Sequence, residues 1–340
     1  MTRLWLPDDE GLPRISGWQL LCIMLVSRIS AEIAYPKRVE SSAGEAMLAL
    51  VAAELIRFVL ALPVIIYSFR QGRSCRTENS CGSGNFYGSI WRRSKFFGWV
   101  SAIIAAALLV GAACRTVLYA AGFANRSLLV GMSAAVVTAI ALAFAIYAAC
   151  MGVEALARSG VLFLAGAAIV TAAIILADIP FMRITDVSSD SGEYSSLIAD
   201  IIERLMQGGD YLVFAAMLPF VAKNRRSSAS GESPAGGASP ARGASSAGGC
   251  ALCFALLSAL ICALLQGFCS LTLREQCGRE EYPFIAAASL SDISLFKRLD
   301  GIGSAIWALC AVFRAGLMLL GAWSVVCEII RSRKKSYGGD

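Results

Sequence analysis

Repeated apolar runs of eighteen or more residues leave a polypeptide only one solvent in which to fold. Such runs lie near 15–34, 46–69, 97–121, 127–150, 159–177, 250–272 and 300–330, with a shorter one at 210–222. The long runs approach or exceed the ~20 residues with which a helix crosses a bilayer core of ~30 Å. Inside that core every backbone N–H and C=O must find a partner, and a run of this length finds one only as a helix. The sequence therefore predicts an all-α, multi-pass integral membrane protein with eight crossings. Composition agrees, since 57% of the 340 residues are hydrophobic and only 16% charged, a balance foreign to soluble domains. The first run carries Arg28 and Glu32, lacks a small-x-small cleavage site and is followed by seven more. It reads as a span, not a cleaved signal.

Basic residues orient the bundle. With a cytoplasmic N-terminus and eight crossings, 17 Lys and Arg fall inside and 9 outside, while Arg28, Arg57, Arg115 and Arg314 lie within spans. The positive-inside rule then places both termini in the cytoplasm. The same distribution accounts for the net charge of +6, so no nucleic-acid partner is read from it. There is no histidine, which removes Ser-His and Cys-His catalysis. Most of the twelve cysteines fall inside spans, where Cys behaves as a small apolar residue. Cys250 and Cys253 form a lone CxxC without a second pair, and no metal, cofactor or disulfide is expected. No nucleophile-base set appears either, so an enzyme is the least supported class.

Two polar segments divide the chain. Residues 70–96 read as a cytoplasmic loop, and their "CGSGNFYGS" lacks the strand-helix context of a phosphate cradle. Residues 223–249 are rich in Ser, Ala, Gly and Pro and read as a flexible cytoplasmic linker. The acidic segment 178–209 reads as an outer loop that also holds a possible first half of the sixth span. In the first span, Ser27, Arg28, Ser30 and Glu32 interrupt the apolar run before Pro36. Such a segment is tolerated only where protein or a cavity surrounds it. In the sixth, an amphipathic stretch up to Gln207 meets Gly208 and Gly209 and then a short apolar run. Either a broken helix or a surface helix followed by a short span fits that pattern. Discontinuous helices expose backbone groups to small polar solutes near the midplane. The candidate ligand contacts are therefore Ser27, Arg28, Ser30, Ala31 and Glu32 in one span and Gly208, Gly209 and Asp210 in the other.

Three stretches together resemble one family. They are "GVEALAR" with Gly152, Glu154 and Arg158; "FKRLDGIGSAIW" with Arg298, Leu299, Asp300 and Trp307; and "YLVFAAMLPFVAKN" with Leu218, Pro219 and Phe220. Their order and spacing are similar to those of the permease-like B subunits of nutrient germinant receptors in endospore-forming bacteria, members of the amino acid/polyamine/organocation superfamily. The resemblance implies a LeuT-like bundle with broken helices 1 and 6 in the inner membrane of the spore. It also implies a nutrient ligand of the amino-acid kind and two partners, a larger membrane A subunit and a lipoprotein C subunit. The family usually has ten transmembrane helices. Eight here would leave the second inverted repeat two helices short, which counts against a full alternating-access cycle.

Charged pairs complete the reading. Glu154 and Arg158, at i and i+4, can pair across one turn and would fix the junction between the fourth and fifth spans at the inner gate. Glu54 and Arg57, at i and i+3, read as a mutually neutralising structural pair, and Asp300 as a structural charge. For Arg28 and Glu32, ligand or ion recognition and a structural pair both remain open. Arg115 and Arg314 have no acidic neighbour in sequence and need a partner from another helix, a cavity or a route to the interface. Small residues in "AAALLVGAAC" and "LFLAGAAIVTAA" predict close helix packing. A sensor is the first functional expectation. The rivals are an amino acid permease coupled to protons or sodium through Glu32 and Glu54, and a scaffold subunit that binds no ligand.

Overall fold

Pro36 forces the residue before it out of the helical region, and the first helix ends there. In the computed structural model, α1 (Gly17–Ala34) stops at Tyr35, whose backbone is extended at φ −88° and ψ 134°. The structure describes residues 15–37, 43–74, 95–129, 131–182, 194–221, 242–273, 276–277, 279–290 and 299–337. At the other end of α1, Ser16 accepts from the Gln19 N–H while Gln19 Oε1 accepts from the Ser16 N–H. This reciprocal box satisfies two donors that a helix start leaves open. The helix is continuous through Ser27–Glu32, so the break anticipated there lies at its end instead.

The remaining elements are α2 (Ala43–Ser74), α3 (Lys95–Ser127), α4 (Ala134–Asp178), α5 (Tyr194–Met206), α6 (Asp210–Met217), α7 (Arg242–Leu273), α8 (Pro283–Ala288) and α9 (Leu299–Tyr337). Short 3-10 turns follow α4 at Ile179–Phe181 and α6 at Leu218–Phe220. Among the described residues, six helical segments are long and apolar enough to cross a membrane: Gly17–Ala34, Gly44–Pro63, Trp99–Ser127, Ala134–Phe181, Cys250–Leu273 and Asp300–Cys327. The chain is an all-α polytopic membrane protein.

Eight expected crossings thus become six long helices, for two reasons. The fourth and fifth runs join in α4, bent at Gly152, whose φ of 84° and ψ of 172° interrupt the helix. Each arm of α4 is about 27 Å or longer at 1.5 Å per residue, long enough to approach or cross the ~30 Å core separately. The sixth run is only the short α6 and its 3-10 turn. The polar segments also shrink. Residues 70–74 belong to α2, 95–96 to α3 and 242–249 to α7, so the expected loop and linker are helical at their margins. The rest of both, at 75–94 and 223–241, lies outside the described residues, as do 183–193 of the outer loop and Arg298.

Packing follows which faces are apolar. Leu252, Leu256, Leu260 and Leu264 form an exposed stripe at intervals of four on α7, and Leu162, Ile169 and Leu176 are exposed on α4. Apolar exposure on that scale suits lipid and not water. By contrast α1 is buried nearly all round, between α4, α7 and α9, while α9 packs along α3 and α4. Close packing does come from small residues, although not all of the predicted ones. Ala105, Ala112, Ala113 and Ala167 are buried, whereas Gly111 and Gly166 face no neighbour. The tight approaches are at Gly303, where a Cβ would lie 2.9 Å from Ile174, and at Gly316, where it would lie 2.8 Å from Ala148.

At one end of the bundle the entry to α1 is tied to the exit of α6. The Ile15 N–H donates to the Phe220 carbonyl at 2.9 Å, in a parallel bridge between Ile15 and Val221. At the other, the segment around α8 folds over the helices. The Lys37 N–H donates to the Glu281 carbonyl at 2.9 Å, and Tyr282 and Phe284 stand edge-on or tilted against Phe123, Phe268 and Trp307.

Candidate functional site

Between α5 and α6 the helix breaks at Gln207, Gly208 and Gly209. Gly209 has φ 142°, and a Cβ there would lie 3.1 Å from Met318 Cε, so both its conformation and its surroundings call for glycine. A helix end leaves carbonyls without intrahelical partners. Here cationic side chains supply them: Arg115 donates to the Met206 carbonyl, and Arg314 Nη2 to the Gln207 carbonyl at 2.7 Å.

The helix that leads into the break is inside out. Ile198, Ile202 and Met206 on α5 are exposed, while Asp200 and Arg204 are buried. A surface helix in water would turn the other way. Facing lipid outward and protein inward, α5 carries its charges into the bundle.

There they join a network whose charged groups come from five helices. Arg204 Nη1 reaches Glu32 Oε1 at 2.8 Å, and its Nε reaches Asp200 at 2.9 Å. Arg28 lies 3.4 Å from the other oxygen of Glu32 and donates through Nε to Glu54 Oε1 at 2.5 Å. Arg57 Nη1 donates to that same Glu54 oxygen, also at 2.5 Å. On the far side of α1, Ser27 Oγ donates to Asp210 Oδ1 at 2.6 Å, and Arg314 stands 3.2 Å from Asp210 Oδ2. Arg314 Nη1 donates to the Ser27 carbonyl at 2.6 Å, which also accepts from Ser30 Oγ at 2.9 Å. The Arg314 guanidinium lies 5.4 Å from the Tyr35 ring centroid, and the Tyr35 and Thr116 hydroxyls are 2.6 Å apart. Four arginines and four carboxylates thus meet where burial of an unpaired charge is most costly.

Of the candidate contacts, Ser27, Arg28, Ser30, Glu32, Gly208, Gly209 and Asp210 come together at this junction. Ala31 is fully buried in α1 and brings no polar group. Glu54 and Arg57 enter it as well, which alters their reading: Glu54 serves Arg28 as much as Arg57, so the two are not a self-contained pair. Glu154 and Arg158 do pair, at 2.5 Å, but on the surface. They lie just past the Gly152 bend, where a role at that junction was expected. Asp300 opens α9, about 21 Å along the helix from Arg314, and takes no part.

Asp200 and Arg204 went unrecognised because their amphipathic stretch fitted a surface helix with its charges outward as well as the first half of a broken span. A signal existed: at i and i+4 they share a face opposite Ile198 and Ile202. Tyr211 was also missed. Its hydroxyl stands in the field of Glu54, Asp210, Arg57 and Arg28, while its ring meets Phe254 at 5.3 Å. No family model matches the chain, and no curated protein matches it in sequence.

Proposed function

We propose that the chain is a membrane sensor of a small nutrient, acting as the permease-like subunit of a spore germinant receptor. On this reading the LeuT-like bundle holds its solute at the α5–α6 break beside α1, in the inner membrane of the spore, with both termini in the cytoplasm. Binding favours one of two arrangements of the break, and the A subunit and lipoprotein C subunit respond to the shift. Ligand biases such an equilibrium only by its differential affinity for the two states. The break supplies the needed element, because the same contacts hold α1, α2, α5, α6 and α9 together.

The observation that carries sensing over ion-coupled transport is the arginine pairing of every carboxylate in the network. A carrier of protons or sodium needs a carboxylate that changes partner during the cycle. Glu32 and Glu54, the natural carriers, are each held by two arginines.

Two experiments test the reading. Spores lacking the protein should lose the fall in optical density that follows one nutrient, while still germinating through a physical bypass that needs no receptor. The chain in liposomes should bind that nutrient without accumulating it under a proton or sodium gradient. Concentrative uptake would replace the sensor by a permease, and absence of binding would leave a scaffold.

A further inference from the structure

Arg57 sits about two thirds of the way along the membrane-crossing part of α2, Gly44–Pro63, and is 7% exposed. It makes one hydrogen bond, from Nη1 to Glu54. Its Nε and Nη2 are buried and have no partner. Those two nitrogens form the side-on edge of the guanidinium, with parallel N–H groups spaced for the two oxygens of one carboxylate. The other buried arginines of the network have no such free edge. Arg28 spends Nε on Glu54 and Nη2 on Glu32, Arg204 spends Nε on Asp200, and Arg314 spends Nη2 on Gln207.

Charge points the same way. Arg28 and Arg57 share a single oxygen of Glu54. Arg28 has Glu32 as a second carboxylate, and no second one pairs with Arg57 among the described residues. The free edge also faces the break: a Cβ on Gly208 would lie 3.6 Å from Arg57 Nε. The Tyr211 hydroxyl, in the field of the same charges, is buried without a partner. A buried donor without a partner has lost its water and gained nothing in return, so an acceptor that meets several at once binds at an advantage.

We propose that Arg57 is the anion receptor of this site: its Nε and Nη2 take both oxygens of a carboxylate on a small solute, and the Tyr211 hydroxyl supplies a further donor. The proposal rests on the solute-binding reading and names the chemical class of the solute. It moves the anchor from the α1–α6 pair to α2, a helix outside the candidate ligand residues.

The full chain, purified into lipid nanodiscs, is unfolded by heat at constant ionic strength set with sodium sulfate, and its tryptophan fluorescence is followed. The probes are sodium acetate, L-alanine, L-alaninamide, glucose and sodium bromide. Acetate and L-alanine should raise the unfolding temperature saturably, while L-alaninamide, which lacks the carboxylate, and glucose should not. Arg57→Lys keeps the charge without the fork and should weaken the response tenfold or more. Since substitution of Arg57 also disturbs Glu54, Tyr211→Phe serves as the second variant. It deletes an oxygen with no partner to lose and should weaken acetate about fivefold. No response to acetate or L-alanine overturns the proposal and leaves an ordered water at Arg57. Bromide as effective as acetate overturns the carboxylate assignment, and an undiminished response in both variants moves the anion elsewhere. A glucose response without an acetate response would preserve the sensor reading and sink this one. Conversely, acetate binding with unaltered germination in the Arg57→Lys strain would sink the sensor reading alone.

Discussion

Arg314 holds three groups at once, the Ser27 carbonyl, the Gln207 carbonyl and Asp210, and is fully buried. Removing one partner from a buried ion pair strands the other, at a cost of about 3–5 kcal/mol. Arg314→Met should therefore lower the unfolding temperature of the detergent-purified protein sharply, and Arg204→Met should do likewise. Arg158→Ala breaks a pair at the surface, where such contacts contribute about 0–1 kcal/mol, and should leave the melting curve nearly unchanged. Sequence spacing pairs Arg158 with Glu154 and leaves Arg314 without an acidic neighbour, but does not say what Arg314 meets. What separates them is the identity of the partner: Arg158 meets Glu154 one turn away, whereas Arg314 meets Ser27 across 287 residues. Local spacing cannot show a contact of that kind. It also misleads, as with Glu54 and Arg57, whose i and i+3 positions suggested a closed pair that Arg28 in fact shares.

Helices here are held by glycines at particular points, and the points can be told apart. At Gly160 a Cβ would collide with Ile23 of α1 and lie 3.2 Å from Phe313 of α9. Gly166, on the same arm of α4, has nothing near it. Gly160→Ala should destabilise by about 1–3 kcal/mol through overpacking. Gly166→Ala should be neutral or stabilising by up to ~1 kcal/mol, since alanine favours the helix; detergent-dependent melting curves compare the two. Gly152→Ala strains a positive φ and should cost about 1–3 kcal/mol, read in the same assay. The existence of the long helices was legible because apolar length is sufficient evidence in lipid. The direction of α5 was not. Alternation of Ile198 and Ile202 with Asp200 and Arg204 reveals two faces, but which face turns inward depends on the solvent around the helix.

Across the whole molecule, the bridge between Ile15 and Val221 closes one end while the segment around α8 covers the other. Parallel neighbours stand about 4.8 Å apart, within reach of a disulfide. Ile15→Cys with Val221→Cys should cross-link under mild oxidation, seen as a gel shift reversed by reductant. If the sensor works by opening that end, the cross-linked form should retain nutrient binding and lose signalling, and recover it on reduction. The long-range network has a further consequence, for synthesis. Chains emerge at about 5–20 residues per second, so Ser27 and Arg28 leave the ribosome on the order of fifteen seconds to a minute before Arg314. Glu54 and Arg204, which pair with Arg28 and Glu32, emerge within that interval, but Asp210 on α6 waits for the cation of Arg314. Membrane insertion of this chain is then a matter of custody: the Asp210 carboxylate and the Ser27 carbonyl need shelter until α9 arrives with Arg314.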